Sequence, residues 1–370
     1  MKLTGLLVVV CLAAVVAPTH AVEPAEVAVY ECLRCEAPPV IDGRLDDACY
    51  AALPVMDQFY KYWSPSPLPP PLRTAARLCY DDRGLYMGIT MFEEQLDQIR
   101  AEVTGRDNPE TWHDDCVEIM VDPHNTGASY FKFTTNANAV RHDQKASNLV
   151  LDDGWSVEGW QVKTSRGDGA WFIEFFLPWS DVEAQAREGE IWSFDLVRYG
   201  WATGSFKGVS WSLGGSGASP QKHGYLGFGR FAPYPKDKLR QMADIIRQTK
   251  GDRFRLVLRD VVLTHEPCGL WMRRDLAAWI QGAQAAARDG LTEAGAAVDS
   301  LPAGADRNRL EKTMAELTDQ AGQITQAHAR DDLQPGPTLL AYYDYLGLRR
   351  KAIEAKWEAM LLELVSAAAK

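Results

Sequence analysis

The sequence predicts a mainly β protein, an antiparallel sandwich of two sheets, followed by an α-helical C-terminal segment. Three observations carry this. From about Val27 to Phe231 the chain is rich in tryptophan, glycine and short alternating segments separated by turn signals. Beyond Pro235 it becomes rich in alanine, leucine and paired charges, with apolar residues recurring at three- and four-residue spacing. The 370 residues also fit two units better than one, since single cores tend to split beyond about 250–300 residues.

In the first region, residues 74–80 and 85–92 flank the turn sequence Asp81-Asp82-Arg83-Gly84 and read as a hairpin. Residues 116–121 alternate Val117, Ile119 and Val121 with Cys116, Glu118 and Met120, and stop at Asp122-Pro123, where proline cannot continue a central ladder. Residues 130–136 alternate again, with Phe131 and Phe133 opposite Lys132, Thr134 and Asn136. Residues 160–165 and 170–177 bracket Arg166-Gly167-Asp168-Gly169 as a second hairpin, and residues 191–199 and 209–213 add two more strands. Short strands at this density, with almost no amphipathic helix among them, predict a jelly-roll or immunoglobulin-like sandwich, with a closed barrel as the main competitor.

In the second region three stripes line one side of a helix each: Leu276, Trp279, Ile280, Ala283 and Ala287; Leu310, Met314, Leu317, Ala321 and Ile324; and Ile353, Trp357, Met360, Leu361 and Leu364. Loops at residues 300–304 and at Gln334-Pro335-Gly336-Pro337 separate them. The expected organisation is a leader over 1–21, a sandwich over 22–234 and a helical hairpin or bundle over 235–370, its stripes serving as core and its surface as a candidate site for a protein partner.

Lys2, the apolar run from Leu6 to Ala17 and Pro18-Thr19-His20-Ala21 follow the order of a secretory signal, which predicts cleavage after Ala21 and a secreted or periplasmic protein. The run is about a dozen residues, short of the roughly 20 a spanning helix needs. A net charge of −11 argues against nucleic acid as a partner and favours a neutral or cationic ligand. Without Cys11 the cysteines are Cys32, Cys35, Cys49, Cys79, Cys116 and Cys268. Six cysteines allow fifteen pairings and the sequence does not choose among them. Cys32-x-x-Cys35 lacks the second pair or histidines of a zinc site, which leaves a local disulfide or two free thiols.

Several motifs occur in a telling order. Pro38-Pro39-Val40-Ile41-Asp42-Gly43-Arg44-Leu45-Asp46-Asp47 is followed by Asp81-Asp82-Arg83-Gly84-Leu85-Tyr86, then by Trp112-His113-Asp114-Asp115-Cys116-Val117-Glu118-Ile119-Met120-Val121-Asp122. Trp171-Phe172-Ile173-Glu174 with Leu177-Pro178-Trp179, Ser210-Trp211-Ser212 and Gly224-Tyr225-Leu226-Gly227-Phe228 complete the series. In this order the region from about Val27 to Phe231 resembles family 9 carbohydrate-binding modules and their DOMON-like relatives. The resemblance implies non-catalytic saccharide binding, in the service of polysaccharide breakdown by other chains.

In that family a pair of tryptophans clamps a terminal sugar while charged and amide side chains bind its hydroxyls. The chemistry is sound, because a pyranose has apolar C–H faces that pack on aromatic rings and hydroxyls that need donors and acceptors. By the resemblance Trp112 falls at the first clamp position, Glu118 at a hydroxyl-binding position, and Lys132 where the family places a base, with Thr134 on the same face. The alternation agrees, since Glu118 opposes Val117, Ile119 and Val121, and Lys132 opposes Phe131 and Phe133. Where the family's second tryptophan lies, this chain reads Gly214-Gly215-Ser216-Gly217-Ala218-Ser219-Pro220, so Tyr225, Trp201 or Trp63 would have to substitute. Arg198 shares parity with Trp192, Phe194 and Leu196, and either caps its strand by snorkelling or reaches into the site.

Other readings follow from the same residues. No cofactor is required, although Asp114, Asp115, Asp122, Asn125 and Asp143 are of the right type for a structural calcium ion, without any fixed loop signature. A haem-binding relative would need two axial ligands, with Met120 and either Lys132 or His142 as candidates. A sandwich that has lost sugar binding would serve only to present the helices. Glycoside hydrolysis would need two facing carboxylates, such as Glu118 and Glu174, and nothing in the sequence isolates that pair.

Overall fold

The computed structural model describes residues 24–167, 169–258, 260–328 and 339–368. The expected leader at 1–21, Asp168 of the second hairpin turn and the Gln334-Pro335-Gly336-Pro337 loop lie outside the described residues. The β region comprises β1 (Ala25–Arg34), β2 (Tyr60–Lys61), β3 (Thr74–Tyr80), β4 (Gly84–Phe92), β5 (Cys116–Asp122), β6 (Tyr130–Asn136), β7 (Arg141–Ser147), β8 (Val150–Asp152), β9 (Gln161–Gly167), β10 (Ala170–Pro178), β11 (Ile191–Gly200), β12 (Lys207–Ser210) and β13 (Gly224–Phe228). One short α-helical turn, α1 (Ala48–Ala51), and several 3-10 turns interrupt it.

The strands run in the order β8-β7-β6-β5-β11-β13-β1-β3-β4-β10-β9. β1 is the bridge: Val29 to Cys32 pair with β13, while Leu33 and Arg34 pair with β3, so one strand belongs to both halves of the path. The halves fold face to face because their central strands, β5, β6 and β11 on one side and β3, β4 and β10 on the other, each turn an apolar side inward. Val117, Ile119 and Val121 of β5 and Phe131 and Phe133 of β6 share one core with Ile173, Phe175 and Leu177 of β10. Ring contacts span the gap, with Phe133 and Phe175 centroids 6.1 Å apart and Trp179 and Trp192 5.5 Å apart. Trp160 is fully buried there, its indole N–H donating to Asp143 Oδ1 at 3.1 Å.

The Ile41-Asp42-Gly43 motif has a structural cause. Glu174 of β10 accepts backbone N–H bonds from Asp42 (2.9 Å) and Gly43 (2.8 Å) and the hydroxyl of Tyr50 (3.0 Å), so this carboxylate fastens the N-terminal loop over the outer face of its sheet. Gly43 has φ +94, and a Cβ there would lie 3.0 Å from the Thr164 carbonyl oxygen, so the turn requires glycine.

Residues 235–370 are not helical alone. After α2 (Lys236–Lys250) come β14 (Phe254–Val257), β15 (Val261–His265) and β16 (Trp271–Asp275), and β14 pairs in parallel with Ala25 to Ala28 of β1. α2 packs Leu239, Met242 and Ile246 on this extension together with Tyr225. Three long helices follow, α3 (Leu276–Asp299), α4 (Ala305–Ala327) and α5 (Leu339–Ala368). The stripes expected in α3 and α4 contribute Leu276, Ile280, Leu317 and Ile324 to the core, as their spacing predicts. α5 differs. Its buried side is Tyr345, Leu348, Ala352, Ala355 and Ala359, whereas Trp357 is 61 % exposed and Leu361 and Leu364 are also exposed. Small residues win because α3 presents Ala283, Ala287, Gly290 and Ala294, and a Cβ on Gly290 would already touch Ala352 at 3.7 Å. Asp275 caps α3 by accepting the Ala278 N–H at 2.8 Å, and Asp275→Ala is expected to destabilise this unit by about 1 kcal/mol, measurable by urea unfolding.

A candidate ligand-binding face

The outer face of the sheet containing β5, β6, β7 and β11 is polar. The alternation that sends Val117, Ile119, Phe131 and Phe133 inward turns Glu118 and Met120 of β5, Lys132 and Thr134 of β6, and His142 and Gln144 of β7 outward together. Glu118 lies directly across from Thr134, Thr134 from His142, and Lys132 from Gln144. Glu118 is only 3 % exposed, and its carboxylate meets the Lys132 ammonium at 2.5 Å and accepts the Tyr199 hydroxyl at 3.1 Å. Three buried atoms beside this pair, Thr134 Oγ1, His142 Nε2 and Gln144 Oε1, have no hydrogen-bond partner. Buried polar atoms are normally satisfied, so three in one patch are a demand for water or a ligand.

Burial, then the nearby Lys132 charge, lowers the His142 pKa, so its ring is neutral at neutral pH. Burial pushes Tyr62 up to about 12 and Tyr199 higher still, which keeps both as protonated hydroxyls. The face thus offers one carboxylate, one ammonium, neutral donors and acceptors, and no excess charge.

Aromatic rings edge this floor. Trp112 sits in a 3-10 turn, Pro109–His113, capped by the Asn108 side chain accepting the Glu110 N–H at 2.9 Å. Its ring meets His113 at 3.7 Å, and ring contacts continue from His113 to Trp201, from Trp201 to Phe206 and from Phe206 to Tyr199 and Tyr62. Tyr62 stacks on Trp63 with centroids 5.6 Å apart and planes 5° from parallel. The Tyr62 and Tyr199 hydroxyls are 2.9 Å apart, which ties the row to Glu118. The row's two exposed indoles stand at its ends, Trp112 at 43 % and Trp63 at 66 %.

The glycine loop that lacks the second clamp tryptophan reaches this row. Ser216 Oγ accepts the Trp63 indole N–H at 3.2 Å, and its carbonyl lies 2.9 Å from His223 Nε2. Tyr130 donates to the Gly217 carbonyl at 2.5 Å. Of the three substitutes considered, Tyr225 is buried against Thr249 of α2, and Trp201 is held by Asp115 and by the Trp112 carbonyl. Trp63 is the one exposed beside this loop.

Not every expected residue joins the face. Arg198 is fully buried on the opposite side of β11, between the sheets, where it donates to the carbonyls of Arg73 (2.8 Å) and Phe92 (3.1 Å) and pairs with Glu93 at 3.5 Å. Its parity with Phe194 and Leu196 decided this, and of the two alternatives neither snorkelling nor reaching the ligand face applies. Tyr62, Tyr199, Phe206 and Gln144 do join it, although sequence reasoning passed over them. Tyr199 was legible, because it alternates with Arg198 and must therefore point outward.

The other chemistries fit poorly. Glu118 and Glu174 stand on the outer faces of the two opposed sheets, so they cannot flank one glycosidic bond. Met120 and Lys132 are direct cross-strand partners projecting the same way, and His142 projects from that same face, so none of these pairs can reach an iron from opposite sides. The carboxylates considered for calcium are occupied by N–H donors. Asp114 accepts from Glu102 and Val103, Asp115 from Arg100 and Trp201, Asp122 from His124 and Gly127, and Asp143 from Val157. The bonds of Asp114 and Asp115 hold the loops that carry Trp112 and Trp201.

Comparison with known proteins gives three kinds of result. Among curated proteins no match is found. Among solved structures, a family 9 carbohydrate-binding module from Caldicellulosiruptor kristjanssonii in complex with glucose is similar at 16 % identity and a TM-score of 0.42, over 55 % of this chain and 96 % of that one. The same organism's module with cellotriose gives 15 % and 0.42, over 56 % and 97 % of the two chains. A candidate carbohydrate-binding protein from Bacteroides uniformis ATCC 8492 gives 18 % and 0.43, over 55 % and 98 %. No helix among the described residues is long and apolar enough to cross a membrane. Residues 41–211 match the model of the carbohydrate family 9 binding domain-like family, and this stretch of the chain is a domain of that family.

Proposed function

We propose that residues 22–234 are a non-catalytic saccharide-binding module of an exported protein, and that residues 235–370 are a strand-and-helix extension docked on it. The observation that carries the reading is the patch of partnerless buried atoms, Thr134 Oγ1, His142 Nε2 and Gln144 Oε1, beside the Glu118–Lys132 pair, whose Glu118 is tied through Tyr199 to a row of aromatic rings. A neutral polyol fits such a face. Its hydroxyls supply both donors and acceptors, its C–H face packs on an indole, and it asks the site for no net charge. Trp112 and Trp63 are the proposed stacking residues, with Glu118, Lys132, Thr134, His142 and Gln144 the hydroxyl-binding set. The order of the first residues supports export, and a module of this kind would serve polysaccharide breakdown carried out by enzymes on other chains.

The test is titration of purified residues 22–370 with mono- and oligosaccharides, followed by tryptophan fluorescence. Saturable binding is expected, weakened roughly tenfold in either Trp112→Ala or Trp63→Ala, since an aromatic contact of this kind contributes about 0.5–1.5 kcal/mol beyond its buried area. No response from a folded protein across the panel would refute the proposal. Binding that survives in Trp63→Ala but not in Trp112→Ala would return the second clamp position to the glycine loop.

A further inference from the structure

Four cysteines gather at one end of the bridging strand: Cys32 on β1, Cys35 one residue beyond it, Cys79 on β3 and Cys49 in α1. All carry free thiols. Cys35 and Cys79 share a small apolar enclosure with Tyr86, flanked by Ile41, Leu53 and Phe176. The parallel register sets Leu33 beside Cys79 and Arg34 beside Tyr80, and the Cys35 N–H continues the ladder by donating to the Tyr80 carbonyl at 2.9 Å. Both backbones are therefore pinned, and the two side chains lie in the same enclosure, with the Cys35 thiol donating to the Tyr80 carbonyl at 3.4 Å. Cys32 points the other way, into the main core, and Cys49 sits on a separate turn. The pair that spacing suggests, Cys32 and Cys35, is thus divided between two enclosures.

We propose that Cys35 and Cys79 are a disulfide-forming pair, oxidised by exchange with a small-molecule disulfide. The Cys35 sulfur attacks one sulfur of the reagent, whose other half leaves and takes the Cys35 proton. The Cys79 sulfur then attacks Cys35 Sγ, and the second half of the reagent leaves with the Cys79 proton. Two protein thiols lose two electrons and one external disulfide is reduced to two thiols. The order follows from access and acidity. Cys35 is 8 % exposed while Cys79 is fully buried, and the contact with Cys79 holds the Cys35 thiol below the ordinary range while Cys79 is pushed up. The bond would close the long loop that carries β2, Tyr62 and Trp63, restricting the unfolded chain.

The full chain, purified in reduced form, is incubated under native conditions with oxidised glutathione, digested without reduction and examined by mass spectrometry. A peptide pair joined through Cys35 and Cys79 is expected. It should persist in Cys49→Ser and vanish in Cys35→Ser, and oxidation should raise Tm by several degrees in the wild type and in Cys49→Ser but not in Cys35→Ser. Cys79→Ala replaces Cys35→Ser if the latter fails to fold. A Cys32–Cys35 or Cys35–Cys49 link, or Cys35 and Cys79 both still open to alkylation after denaturing the treated protein, would overturn the assignment.

Discussion

Arg198→Met is expected to lower the unfolding free energy by about 3–5 kcal/mol, the range for removing one partner of a buried ion pair. The guanidinium has no exposed surface and lies between the two sheets. Burial pulls its pKa down to about 10, which still leaves it charged at neutral pH. It satisfies two carbonyls, Arg73 and Phe92, and faces the Glu93 carboxylate. Methionine fills much of the volume but takes a charged donor away from both carbonyls, of which Arg73 keeps the Phe92 N–H at 3.2 Å, and leaves a carboxylate in the interior without its cation. Urea unfolding of wild type, Arg198→Met and the double variant Arg198→Met/Glu93→Leu tests this. The double variant should recover much of the loss, because an apolar pair leaves no buried charge. Saccharide affinity of the folded single variant should be unchanged. An unaltered midpoint together with lost binding would instead put Arg198 at the ligand.

The same residue shows what the sequence could and could not convey. Local period was legible: both hairpins, β3–β4 and β9–β10, fall where turn residues separate alternating runs, and the inward and outward sets of β5 and β6 follow from parity alone. β7 was not legible, since Arg141, His142, Asp143, Gln144 and Lys145 carry no apolar face. Its inward residue Asp143 is stabilised by Trp160, Arg106 and the Val157 N–H, three partners distant in the chain. β14 to β16 were hidden for another reason: they follow the change to alanine and charge, yet complete a ladder begun by Ala25 to Ala28. At the site, Trp112, Glu118, Lys132 and Thr134 were chosen by resemblance and alternation, and all but Trp112 share one floor. Their neighbours could not be chosen in this way. Tyr62 and Phe206 come from loops whose approach depends on β2 pairing with β12 through two residue pairs, which no periodicity announces, and Trp63, named in the sequence only as one of three substitutes, arrives by the same route.

Glu118→Gln is expected to weaken saccharide binding by roughly 10- to 100-fold, from the about 1.5–3 kcal/mol of a hydrogen bond to a charged group. The change is nearly isosteric, so it isolates charge from shape. In the wild type the carboxylate holds Lys132 at 2.5 Å and orients the Tyr199 hydroxyl at 3.1 Å, which fixes three polar groups before any ligand arrives. A glutamine can still accept from Tyr199, but its amide N–H bonds repel the ammonium, and Lys132 must then turn toward solvent. The hydroxyl-binding floor loses its preorganisation as well as one strong acceptor. Because the pair is largely buried and the ligand neutral, wild-type affinity should change little between low and moderate salt. Calorimetric titration of both proteins at two ionic strengths, with unfolding measured in parallel, separates the possibilities. If Glu118→Gln binds as tightly as wild type but unfolds more readily, the Glu118–Lys132 pair is an inter-strand tie and the saccharide must lie elsewhere along the aromatic row. If affinity falls while the unfolding midpoint holds, the carboxylate acts on the ligand itself, and the partnerless atoms of Thr134, His142 and Gln144 become the next positions to substitute.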